Sequence, residues 1–311
     1  MNTQSKAMPE SSLESQVSAP AVISPAQRMY WSVRRELWES RSIYIAPLAV
    51  ASLILVGFLI SLIHLPEKMR AELSLHTMHH YEILTEPYII AEFLIMAAML
   101  IVGVFYCLDA LHGERRDRSI LFWKSLPVSD LTTVLSKASI PFVVLPLLTV
   151  AITAATQLIM LLLNSAVLLG SGVSVAPLWS HSSLFHGSLM ELYHLLTVHA
   201  LGYAPIYGWL LLVSAWARRA PFLWATLPLL AIGVVEKIAF NTSHFAAMLV
   251  SILSGGAEKG PSPGVSGVSM DPLGHFAPGE FLSSPGLWIG LAITVAFLAA
   301  AVRLRRYREP I

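Results

Sequence analysis

The sequence predicts an all-α integral membrane protein. It has six transmembrane helices, N-in and C-in, an N-terminal interfacial helix, a cytosolic helical element between spans 2 and 3, and a partly helical outer loop between spans 5 and 6. Three observations carry this expectation. Of 311 residues, 55% are hydrophobic and only 13% charged, against about 25% charged in a soluble domain. Such a chain lacks a polar coat for water and holds too much apolar surface to stay disordered. Six stretches approach the roughly 20 mostly apolar residues that cross about 30 Å of hydrocarbon. Finally, 16 of the 20 Lys and Arg residues fall on one side of those stretches, the bias that marks cytosolic loops. The single cysteine, Cys107, excludes an internal disulfide framework and a cysteine-built metal site.

Taken in order, residues 1–25 are rich in Ser, Ala and Pro without an apolar core, and read as a disordered cytosolic tail rather than a signal peptide. Residues 26–308 form one transmembrane domain. Within it, residues 27–41 predict a helix lying flat in the interface. Arg28, Ser32, Arg35 and Glu39 share a polar face, Met29, Tyr30, Val33 and Leu37 oppose it, and Trp31 and Trp38 flank the apolar side. The spans are predicted at 43–63, 89–108, 140–163, 192–216, 222–240 and 287–302, with apolar residues continuing past the third to Leu169. The fourth holds His194, His199, Gly202 and Pro205, so its outer half is expected to be irregular. Six crossings return the chain to its starting side. The four segments on that side carry Lys6 to Arg41, Arg115 to Lys137, Arg218 with Arg219, and Arg303 to Arg308. The opposite loops hold only Lys68, Arg70 and Lys259, with Lys237 near the outer end of the fifth span.

The stretch 109–139 is too large for a simple connector. A cluster of both signs opens it (Glu114, Arg115, Arg116, Asp117, Arg118), and a short apolar run follows (Ile120, Leu121, Phe122, Trp123). Pro127 ends that helix, because proline disfavours helix at the residue before it. Ser129 can cap a second helix, with Asp130 in the first turn where negative charge suits the dipole. The plain alternative is an ordinary basic inner loop. The functional reading is a helix–turn–helix that docks a cytosolic partner, with Ser119, Trp123, Lys124 and Pro127 beside the charged cluster.

Here the chain resembles the permease subunits of ATP-binding-cassette (ABC) transporters of the type-2 export class. Between their second and third spans these carry a Glu, a short charged stretch, a Gly-Thr-like pair, an apolar run, a Leu-Pro and then a Lys. Glu114, Ser119, Leu126-Pro127 and Lys137 stand at the corresponding places, while Arg118 replaces the usual Gly and Leu121 a usual acidic residue. The layout resembles that family over about residues 26–308, the motif over 114–137 only. The resemblance implies that the element is a coupling helix transmitting ATPase closure to the spans through Glu114, Arg115, Arg116, Asp117, Arg118, Ser119, Trp123, Lys124 and Pro127. It also implies a second permease subunit, as homo- or heterodimer, and export as the direction. The chain has no Gly-x-x-x-x-Gly-Lys-Ser/Thr phosphate loop, so ATP and Mg²⁺ are expected on a separate ABC ATPase subunit, and no cofactor, catalytic residue or nucleic-acid partner is expected here. The expected location is the plasma membrane, as in a bacterial inner membrane, with both termini cytoplasmic.

On the outer side, 241–286 forms the loop between spans 5 and 6. Its first part, 243–253, is apolar but too short to cross. In the resembled family short re-entrant helices at this place help form an outer gate. Glu92, Glu236 and Lys237 are the candidates for a polar gate, although long side chains at this depth can simply reach water. No charge falls at the midplane of a span, which argues against ion-coupled transport. Gly286 and Gly290 form a small-x-x-x-small pair suited to close helix contact. His76, His79 and His80 would share one helical face, a spacing at which imidazoles bind Zn or Cu. No matched cysteine or carboxylate set closes a shell around them. A metal-handling membrane protein is therefore the second reading, and an integral membrane enzyme the third, without a nucleophile or paired carboxylates to support it.

Overall fold

The computed structural model describes residues 24–63, 80–120, 122, 128–172, 190, 192–193, 195–253 and 283–307. All regular structure among them is helical. In chain order the helices are α1 (Pro25–Glu39), α2 (Ser42–Leu62), α3 (His80–Ala110), α4 (His112–Arg116), α5 (Asp130–Ser139), α6 (Leu145–Gly170), α7 (Ala204–Trp216), α8 (Pro221–Phe240), α9 (His244–Leu253) and α10 (Pro285–Tyr307). A π-helical turn, Ile140–Val144, joins α5 to α6, and another, Leu195–His199, precedes α7.

Five helices are long and apolar enough to cross a membrane: Ser42–Leu62, Glu86–Arg116, Asp130–Gly170, Pro221–Phe240 and Pro285–Tyr307. A sixth crossing exists if Leu195–Gly202 and Ala204–Trp216, bent by 49°, form one broken span. The bend falls among the residues that made this outer half suspect, with Pro205 in the first turn of α7 where its missing N–H costs no helical bond. The chain therefore has the helices of an integral membrane protein. At 1.5 Å per residue the 41 residues of Asp130–Gly170 reach about 60 Å, twice the hydrocarbon thickness. The helix is thus longer than one crossing needs, and α5 forms one end of it.

Local signals explain the boundaries. α1 starts two residues earlier than expected, because Ser24 and Gln27 make a reciprocal capping box and Pro25 suits the first turn. Ser129 caps α5 by accepting from Thr132 N at 3.1 Å, with Asp130 in its first turn. The apolar part of the outer loop is a ten-residue helix, α9. The tail up to residue 23 and the loop 254–282 lie outside the described residues.

α3 occupies the middle. Toward α7 it buries Met99, Tyr106, Cys107 and Leu108 against Tyr207, Leu210 and Leu211. Toward α2 and α6 it buries Ala91 and Ile95 against Phe58, Ala51, Met160 and Ile152. α7 packs most extensively on α10. A Cβ on Gly208 would stand 3.2 Å from the Thr294 side chain and one on Gly290 3.0 Å from the Pro205 ring, whereas nothing lies within 4 Å of Gly286. The close approaches are thus at Gly208 and at Gly290, one on each helix, and of the two glycines in the sequence pattern only Gly290 makes one.

Candidate coupling site

The end of the bundle that carries α1, α4 and α5 holds a buried ionic network. Glu36 of α1 is 1% exposed, Glu114 of α4 4%, Lys137 of α5 2% and Arg305 of α10 4%. Lys137 Nζ donates to Glu36 Oε2 at 2.9 Å and lies 3.2 Å from Glu114 Oε1. The Tyr106 hydroxyl donates to Glu36 Oε2 at 3.1 Å. Arg35 pairs with Glu36 and reaches Glu114 Oε1 at 3.4 Å. Arg305 pairs through Nη1 with Glu114 and donates from Nε to Asp130 Oδ1 at 3.2 Å. Three carboxylates (Glu36, Glu114, Asp130) meet three cations (Arg35, Lys137, Arg305), so the inner part of the network is neutral, as burial requires, while the exposed Glu39 adds a fourth carboxylate 3.8 Å from Arg35 Nε at the solvent edge. Burial by itself raises the Glu36 carboxyl, but Lys137 and Arg35 together outweigh it and hold the group below its ordinary value. Burial and the neighbouring Glu36 charge push Glu39 the other way.

A second set of contacts fixes α4 to the end of α7. Ser214 Oγ accepts from Leu111 N at 3.0 Å and His112 N at 2.9 Å, the otherwise unsatisfied donors where α4 begins. Arg115 Nη1 donates to the carbonyls of Ala215 at 2.7 Å and Ala217 at 3.2 Å. A cation at a helix C-terminus also suits the dipole. His112 Nδ1 lies 3.2 Å from the Ala217 carbonyl; a carbonyl only accepts, so that nitrogen carries the proton.

The charged cluster expected as a docking surface therefore divides. Glu114 and Arg115 are buried among this chain's own helices, so neither presents a surface to a partner. Arg116, Asp117 and Arg118 are exposed at the turn after α4, with Arg116 Nε donating to Asp117 at 3.1 Å. Ser119 is half-buried and donates to the Glu114 carbonyl at 3.4 Å. Trp123, Lys124 and Pro127 lie outside the described residues. Arg118, at the place where the resembled motif has glycine, has φ 56°. That left-handed conformation is one glycine adopts without strain.

The outer-side candidates stand on two helices, Glu236 and Lys237 on α8 and Glu92 on α3. Glu236 accepts from Thr242 Oγ1 at 2.7 Å, His244 N at 2.7 Å and Phe245 N at 2.8 Å. It thus caps α9 and closes the α8–α9 hairpin, with Asn241 at φ 50° in the bend. Lys237 is exposed and Glu92 half-buried on α3. Among the described residues no group of three His, Cys, Asp or Glu could hold a metal ion. His76 and His79 lie outside those residues, as does the side chain of His80.

Sequence reasoning reached Glu114 and Lys137, which lie in one ion cluster, but missed Glu36, Tyr106 and Arg305. Glu36 carried a signal: it is a carboxylate among Met29, Val33 and Leu37 on the apolar side of an amphipathic helix. Arg305 carried none, since it sits in a basic run that the inside rule already explains. No protein-family model, no characterised protein and no solved structure matches the chain.

Proposed function

We propose that this chain is the membrane-spanning subunit of an ATP-driven exporter, similar to type-2 ABC permeases, which forms the translocation pathway and takes its energy from a separate ATPase subunit. One observation supports this above the others: the exposed turn Arg116–Asp117–Arg118 follows directly on a buried network shared by α1, α4, α5 and α10. A partner pressing on that turn displaces α4. Because breaking buried ion pairs is costly, α4 carries α1, α5 and α10 with it as a unit. The Ser214 and Arg115 contacts extend the same unit to α7. α5 continues into a helix long enough to span and α10 is one itself, so a push at the charged end becomes tilt within the membrane. ATP and Mg²⁺ belong to the partner, and a second copy or a paralogue completes the pathway.

The test is purification of the full chain from native membranes in mild detergent. An ATP-hydrolysing protein is expected to accompany it, and Arg116→Glu with Arg118→Glu is expected to release that protein while the permease stays folded. Purification alone under every gentle condition, with no ATPase activity, would overturn the proposal.

A further inference from the structure

The outward face of α1 is unlike a helix face made for water. Val33 and Leu37 are partly buried against the core and Glu36 is buried in the ion network. The opposite side, at i, i+3 and i+7, carries Trp31, Arg34 and Trp38, with Tyr30 beside them. Trp31 is 57% exposed and Trp38 70%. The Arg34 guanidinium carbon sits 5.1 Å from the ring of each indole. The two rings come from the turns before and after it, so the arginine is held between them. Among the described residues it has no carboxylate partner. Stacking costs a guanidinium none of its N–H edges, and those edges match phosphate oxygens in a two-pronged geometry.

Position says what meets this face. The candidate spanning helix α2 begins at Ser42, four residues after Trp38, so at most about 14 Å of chain separates the stripe from the first apolar crossing segment. Tryptophan and tyrosine are the residues of that boundary. Exposed Arg28 and Arg41 near the helix ends add positive charge, against one exposed carboxylate, Glu39. The geometry points to Arg34, clamped between Trp31 and Trp38, as a binding site for the phosphate of an anionic phospholipid in the leaflet next to α1. This goes beyond the proposed transport function and does not depend on it.

Native mass spectrometry of the full chain in mild detergent, titrated with phosphatidylglycerol or phosphatidylcholine of matched acyl chains, reads the site directly. Wild type is expected to retain the anionic lipid about fivefold more tightly, the preference one basic residue gives at an anionic surface. Arg34→Gln is expected to lose most of that preference, Arg34→Lys to keep part of it, and Trp31→Leu with Trp38→Leu to weaken it with Arg34 in place. These side chains are exposed, so the variants should fold. In reconstituted full chain, brominated lipid is expected to quench Trp31 and Trp38, read as a smaller quenchable fraction in Trp31→Phe with Trp38→Phe. Equal retention of the two lipids by wild type, an unchanged preference in Arg34→Gln, or indoles that escape quenching because a soluble protein covers them would each overturn the proposal, whether or not an ATPase co-purifies.

Discussion

Lys137 stands between Glu36 and Glu114, at 2.9 Å and 3.2 Å. Lys137→Met leaves two buried carboxylates facing one another. Removing one partner of a buried ion pair costs about 3–5 kcal/mol, so the variant is expected to unfold at markedly lower temperature in detergent. Adding Glu36→Gln should recover part of the loss, because the uncompensated charge goes too; additive losses would show that the two residues are not coupled. The same network sets a pH response. The folded Glu36 carboxyl titrates below its ordinary value of 4.5. Its stabilisation is therefore complete above that value and fades as pH falls through the lower folded one. Melting temperature followed between about pH 3 and 6 should fall more steeply on acidification in wild type than in Glu36→Gln. Backbone strain gives a change of opposite sign. Ala220 has φ 47° immediately before Pro221 opens α8, and Ala220→Gly is expected to stabilise by up to about 1 kcal/mol by removing the left-handed penalty.

Among the elements, α7 and α10 are held by close approach more than by side-chain bulk. A Cβ on Gly208 would stand 3.2 Å from the Thr294 side chain, and one on Gly290 3.0 Å from the Pro205 ring. A leucine at position 208 must part the helices, and overpacking of this kind costs about 1–3 kcal/mol. Gly208→Leu should lower the melting temperature accordingly, while Gly286→Ala, which meets nothing within 4 Å, should leave it unchanged. The same pair shows where sequence stops being informative. Composition and length were enough to find α2, α3, α6, α8 and α10, because the bilayer sets their length and the residues must be apolar throughout. Ser129 and Pro127 were enough to place the start of α5 to the residue. What pairs with what was not legible. Gly208 looks like any glycine in an apolar run until α10 is beside it, whereas the run of the Ser129-capped helix into the third span was legible, with Pro141 marking the π turn between α5 and α6.

For the molecule as a whole, the ionic network closes a circuit between the first and last helices, joining Glu36 to Arg305 through Glu114. Among the described residues, the end of α1 and the end of α10 therefore meet at the end of the bundle that carries the turn Arg116–Arg118. Surface labelling checks this without any partner. Cys107 is fully buried, so in intact protein it should not react, and single cysteines at Arg118 and Tyr307 should be modified by an impermeant maleimide from one and the same side of a sealed vesicle. Labelling from opposite faces would break the arrangement. The long helix Asp130–Gly170 then acquires a mechanical meaning. The π turn divides it into 10 residues of α5 and 26 of α6, arms of about 15 Å and 39 Å. A rod pivoting at that turn is a lever with a fulcrum near one end: a displacement of 1 Å imposed at the charged end becomes about 2.6 Å at the far tip by the ratio of those arms, and force is traded away in the same proportion.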